Sequence, residues 1–177
     1  METPGRPLPH AQVTVVVRTE VRAQKGSGSG SGSVPNVPSK DIERLRGAYQ
    51  AFNEGGGVEA MLERLAPEFQ LRDRESAPDR ETRYGKAGIK QLFDSYMEAF
   101  DALRLEPEEF IEVGDEIVVS LNQRIRGKGS GAEVVARVAH VWTLRNEEVV
   151  RLRIFGGKER ALKAVAEEAS PGRTAET

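Results

Sequence analysis

Cysteine is absent from this 177-residue chain, so it has no thiolate nucleophile, no disulfide and no cysteine metal ligand. Its chemistry must come from histidine, carboxylates and phenols. One of the two histidines is His140, in Val138-Ala139-His140-Val141, and an imidazole can exchange or donate a proton near neutral pH. Alone, it sets up neither a transition-metal site nor a Ser-His-Asp spacing, and it reads either as a general acid or base or as a satisfied core or cavity-lining residue. Tyr49 falls on an apolar stripe with Leu45 and Phe52, where a core tyrosine with a satisfied hydroxyl and a hydrogen-bond donor are both open. Asp73, flanked by Arg72, Arg74 and Glu75, is a solvated strand-end acid or a buried base. Gly127-Lys128-Gly129-Ser130-Gly131 lacks the strand-to-helix context of a phosphate cradle and reads as a turn. Glu106, Glu108 and Glu109 form a wet edge, and Arg137, Arg145, Arg151 and Arg153 share a strand parity that allows a basic patch.

Composition narrows the classes. The 26 basic and 28 acidic side chains leave a net charge of -2, which excludes the basic stripe of a nucleic-acid binder. At 38% hydrophobic and 31% charged, no run reaches the roughly 18 to 20 apolar residues of a membrane span. A soluble protein is expected, and without an opening signal segment the cytoplasm is the expected compartment. Residues 26–33 are four perfect Gly-Ser repeats, which reads as an engineered linker or, alternatively, a natural hinge. Either way it divides a peptide, residues 1–25, from a domain at 34–169 with a frayed tail at 170–177. Val13, Val15 and Val17 alternate on one face of the peptide, and Arg18, Glu20 and Arg22 alternate with Thr19 and Val21. That is strand patterning, and a lone strand needs a sheet edge or groove to pair with.

The domain must therefore supply the surrounding structure. Ile42, Leu45, Tyr49 and Phe52 predict a helix ending at Gly55-Gly56-Gly57. Val58, Met61, Leu62 and Leu65 predict a second that stops at Pro67, and Phe69, Leu71 and Asp73 alternate as a strand. Residues 76–85 read as a loop. Ile89, Leu92, Phe93, Tyr96, Met97 and Phe100 predict a third helix. Period-two patterning then predicts strands at 103–113, 116–126, 133–145 and 148–155, with Pro107 at an edge or bulge. Ala161, Leu162, Val165 and Ala166 predict a last helix. The class is α+β, a curved antiparallel sheet with helices on its concave side. His140 and Trp142 share parity with Val138 and Leu144 and face that concave side.

The order of elements, with Tyr84-Gly85-Lys86-Ala87-Gly88-Ile89 opening the third helix and His140-Val141-Trp142-Thr143-Leu144-Arg145 paired to Val150-Arg151-Leu152-Arg153, resembles the nuclear transport factor 2 superfamily. That cone-shaped fold is shared by ketosteroid isomerases, SnoaL-type polyketide cyclases and binding modules. The resemblance implies a cofactor-independent isomerase or cyclase site on a small hydrophobic carbonyl substrate. In it Asp73 looks like the base, and Tyr49 and His140 look like oxyanion donors, His140 standing where ketosteroid isomerases carry a protonated aspartic acid. Phe52, Phe93, Met97 and Trp142 would wall the cavity. The tethered peptide favours a different role, a peptide-binding module that takes residues 1–25 by strand addition or in its groove. A non-catalytic carrier of hydrophobic ligands is the third reading. Homodimerisation through the convex face would use Val135, Ala139 and Val141.

Overall fold

The structure is a computed structural model that describes residues 39–72 and 82–169. The peptide with Val13, Val15, Val17, Arg18 and Val21, the Gly-Ser linker, Asp73 and the tail lie outside the described residues.

Helix α1 (Lys40–Ala51) begins at Ser39, whose side-chain oxygen accepts from the Ile42 N–H at 3.2 Å. Asp41 and Glu43 occupy the first turn, where the helix dipole favours negative charge. The three glycines do not stop the chain. It passes through a π turn (Phe52–Gly56) into α2 (Gly57–Leu62), and Gly55 at φ 108° and Gly57 at φ 54° take the left-handed conformations that redirect it. Asn53 uses this turn to brace the sheet: its amide donates to the Leu105 carbonyl at 2.7 Å and accepts from the Leu105 N–H at 3.0 Å.

The second helix is shorter than its apolar spacing predicts. Leu65 opens strand β1 (Leu65–Arg72) rather than closing α2, and Pro67 lies inside that strand. It is tolerated there because pairing with the neighbouring strand is irregular between Leu65 and Gln70, so no ladder donor is required of it. The predicted loop at 76–85 ends in a short strand, β2 (Thr82–Tyr84), paired antiparallel to β1 through Leu71 and Arg83. Helix α3 (Gly85–Ala99) follows.

The remaining strands are β3 (Phe100–Val113), β4 (Glu116–Gly127), β5 (Glu133–Arg145) and β6 (Glu148–Phe155). They lie in the order β2-β1-β6-β5-β4-β3. The fold is α+β, but the sheet is mixed rather than antiparallel throughout: β1 and β6 run parallel. The chain leaves β1 for α3 and the far edge before returning, and such a long crossover is what parallel neighbours require. Asn146 (φ 52°) and Glu147 (φ 67°) make the tight β5–β6 turn. Pro107 sits at the bulge expected of it, where the β3–β4 register shifts between Pro107 and Glu109. The extra residue lets Leu105 and Phe110, five positions apart, both be buried, which strict alternation would forbid. Pro107 and the Asn53 amide together blunt this edge of the sheet.

Helix α4 (Lys158–Glu168) corrects the expectation that helices occupy one side only. It packs on β4, β5 and β6, and Glu168 pairs with Arg151 and Arg153, which point away from their inward neighbours Leu152 and Ile154. Beneath it, Arg153 donates to both Glu116 oxygens at 2.7 and 2.9 Å, and Thr143 donates to Glu116 at 2.9 Å. The basic patch suggested by parity is thus half consumed in a buried ion network. Ala139 and Val141 are fully buried in the monomer and only Val135 stays half exposed, so the apolar surface expected for a dimer is largely covered. Among the described residues, no helix is long and apolar enough to cross a membrane.

Candidate functional site

Strand β5 sets the site through simple alternation. His140 pairs with Val119 and Ile154, and Trp142 with Ile117 and Leu152, so both rings leave the same face of the sheet. The inner stripe of α1 brings Tyr49 against them. Its hydroxyl lies 2.7 Å from His140 Nδ1 and accepts from Trp142 Nε1 at 2.9 Å. Phe110 closes the cluster edge-on to Tyr49, with centroids 6.5 Å apart.

One arrangement of hydrogens uses every donor of this cluster but one. The indole N–H is only a donor, so the Tyr49 oxygen accepts from it. The single phenolic hydrogen then has Nδ1 of His140 as its partner, which makes Nδ1 an acceptor and places the imidazole hydrogen on Nε2. Burial pushes His140 well below its ordinary value near 6.5 and Tyr49 well above 10, because neither charged form is solvated there. The ring is neutral at physiological pH. The chain Trp142 to Tyr49 to His140 therefore ends in one N–H donor, and His140 Nε2 is buried with no hydrogen-bond partner among the described residues.

That donor belongs to a residue lining an apolar cavity between the π turn, α2, α3 and the sheet. Its volume is about 70 Å³. The lining is aliphatic and aromatic apart from His140 and the polar tips of Tyr96 and Trp142, and the Trp142 N–H is turned towards Tyr49. Phe52, Phe93 and Trp142 line this cavity, with Phe52 and Phe93 edge-to-face at 5.7 Å.

Two assignments change. Tyr49 does not line the cavity; its hydroxyl is spent behind His140, so it positions the imidazole instead of meeting a ligand. Met97 is replaced by Tyr96, because α3 presents Ile89, Leu92, Phe93 and Tyr96 at helical spacing and Met97 is rotated about 100° further round. Leu152 and Ile154 also line the cavity and were missed, although the alternation of β6 was the available signal. Among the described residues no group of three or more His, Asp or Glu side chains converges as a metal site would require.

A model of the SnoaL-like domain matches residues 45–152. The chain belongs to the SnoaL-like domain family. The matched span contains Tyr49, His140 and Trp142. No curated protein matches the SnoaL-like chain significantly. Among solved structures, TerC co-crystallised with polyporic acid is 26% identical, covering 73% of this chain and 99% of its own, with a TM-score of 0.59. An NTF2-like protein of unknown function from Burkholderia pseudomallei is 23% identical over 72% of this chain and 98% of its own, with a TM-score of 0.59. A ketosteroid isomerase-like fold from Catenulispora acidiphila, in complex with trimethylamine, is 14% identical over 70% and 92%, with a TM-score of 0.56. The last two support the fold alone.

Proposed function

We propose that this SnoaL-like domain is a cofactor-independent isomerase or cyclase acting on a hydrophobic carbonyl compound, with the His140 Nε2–H polarising the carbonyl. The observation that carries this reading is that unpartnered donor at an apolar cavity wall, its tautomer held by Tyr49. A neutral N–H in a dry site stabilises a developing enolate oxygen without reorganising at the moment of reaction. Asp73 is the base in this reading: it lies two residues beyond Leu71, which lines the cavity, and would take the proton alpha to the carbonyl. The co-crystallised small molecule of TerC supports a ligand-binding role for the fold at 26% identity. Strand addition by residues 1–25 gains no comparable support, because Asn53 and Pro107 already blunt the β3 edge.

Exchange of alpha protons of a cyclic ketone into deuterated water, followed by NMR, tests the proposal. Asp73→Asn should abolish enzyme-dependent exchange, and His140→Phe should slow it by about 10²- to 10³-fold. Exchange unchanged in both folded variants would remove the catalytic reading, and ketone-dependent melting without exchange would leave a carrier.

A further inference from the structure

A second and larger cavity lies on the other side of Trp142. It provides about 350 Å³ on the same measure that gives the His140 cavity about 70 Å³. Leu45 and Ala48 of α1 and Leu144 and Val149 of the β5–β6 hairpin give it an apolar floor. Its rim is charged: Arg44 bridges Asp41 at 3.1 Å and Glu147 at 3.0 Å. The two cavities share only two wall residues, Met61 and Trp142.

Those two walls differ in freedom. Trp142 is 4% exposed and tied through its N–H to Tyr49. Met61 is half-buried, and its unbranched thioether side chain adopts many rotamers at little cost. It rides on the six-residue helix α2, entered at Gly57 with φ 54° and left through the turn at residues 63–64. Size makes this freedom matter. A cavity of about 150 Å³ is what holds a single benzene ring, so the His140 cavity by itself is too small for a ring-bearing ketone. The larger space of about 350 Å³ lies against the same Met61 wall. The imidazole and indole centroids are 5.8 Å apart, so a carbonyl on His140 is already beside the shared wall.

We infer that Met61 gates two compartments of one ligand site, and that the ligand is an extended, mostly apolar carbonyl compound. Its carbonyl meets His140 in the inner compartment, while its body crosses the wall into the outer one and points any polar end at the charged rim. The position of the carbonyl rests on the donor role proposed above; the passage between compartments does not.

Acetone and 4-phenylbutan-2-one, titrated into the full chain, separate the two claims. Fluorescence of Trp142, the chain's one tryptophan, reports the shared wall, and the His140 Nε2 resonance reports the inner donor. The longer ketone should bind about tenfold or more tightly than the shorter, from the extra buried ring. Ala48→Leu, which fills the outer cavity from α1, should cancel that advantage and leave acetone unaffected. Met61→Ala should speed association of the longer ketone alone. Equal affinity for the two ketones, or an Ala48→Leu variant that weakens both or neither, would overturn the gated two-compartment site. If the longer ketone responds to Ala48→Leu while the Nε2 resonance stays still in both titrations, the gate stands and the donor role falls. If Nε2 shifts but Ala48→Leu changes nothing, the donor role stands and the gate falls.

Discussion

Tyr49→Phe removes one oxygen and disturbs two buried partners. The Trp142 N–H loses its acceptor and His140 Nδ1 loses its donor, at sites 4% and 1% exposed. An unsatisfied buried polar group costs about 1 to 3 kcal/mol, and the two are neighbours, so their costs overlap. A loss of about 2 to 4 kcal/mol is expected. For a domain of this size 1 kcal/mol moves Tm by about 4 °C, which puts the fall at about 8 to 16 °C. The more telling consequence is chemical. With Tyr49 present, the imidazole hydrogen is held on Nε2, facing the cavity; without it, nothing forces Nδ1 to be the acceptor, and the neutral ring divides between tautomers. Long-range proton–nitrogen correlation spectra distinguish the two ring nitrogens. The unmodified protein should show an acceptor-type Nδ1 and a protonated Nε2 from pH 6 to 9, and Tyr49→Phe should show averaged signals. A proton found on Nδ1 in the unmodified protein, or a variant with unchanged nitrogens and Tm, would refute the relay.

Four further outcomes are expected. Burial holds His140 neutral below its ordinary value near 6.5, so the unfolded chain takes up the proton first as pH falls. Stability is then complete above about pH 6.5 and lost below it; urea midpoints should show this slope between pH 6.5 and 5, and His140→Phe should flatten it. Tyr49 has the opposite sign: it is raised above 10 by burial, the unfolded chain ionises first, and stability should fall as pH rises past 10, a limb absent in Tyr49→Phe. Glu116→Gln strips Arg153, whose side chain is 5% exposed, of its buried counter-charge and should cost about 3 kcal/mol by urea unfolding; the paired Glu116→Leu, Arg153→Met variant should cost less than that single change. Asn53→Ala removes both hydrogen bonds to Leu105; amide exchange at Leu105 should speed up markedly while β5 amides stay protected.

Periodicity made α1, α3 and the long strands legible, because their apolar residues repeat over enough positions to define a face. It failed where an element is too short to repeat, as in β2, or where a residue that usually breaks structure is tolerated, as with Pro67 in β1 and the glycines of the π turn. The parallel β1–β6 pair has no local signature, since both strands carry the same alternation whichever way a neighbour runs. Helix α4 shows an apolar stripe of Ala161 and Val165, but the stripe does not say which side of the sheet it covers. That is decided by Glu116, Thr143, Arg151 and Arg153, residues whose types suggest solvent. At the site, parity placed His140 and Trp142 correctly. Tyr49 was readable as inward-facing only, because whether its hydroxyl meets a ligand or a histidine depends on β5, far away in sequence.

The same relay that supplies a donor also narrows what can use it. In water a second polar group on a ligand costs nothing; inside walls of Leu, Ile and Phe side chains it forfeits its hydration, at about 1 to 3 kcal/mol per group. A ligand with one acceptor at the right end offsets this by pairing with Nε2, which otherwise has no partner in the described structure. The unfilled donor is itself a standing cost to the folded protein, and a carbonyl oxygen removes that cost on binding. Hydrocarbons without an acceptor leave Nε2 unpaired, and polyols bury groups with nothing to meet. On the proposed reading, preference for a mostly apolar molecule with one inward carbonyl would follow from a single imidazole hydrogen whose position Tyr49 and Trp142 impose.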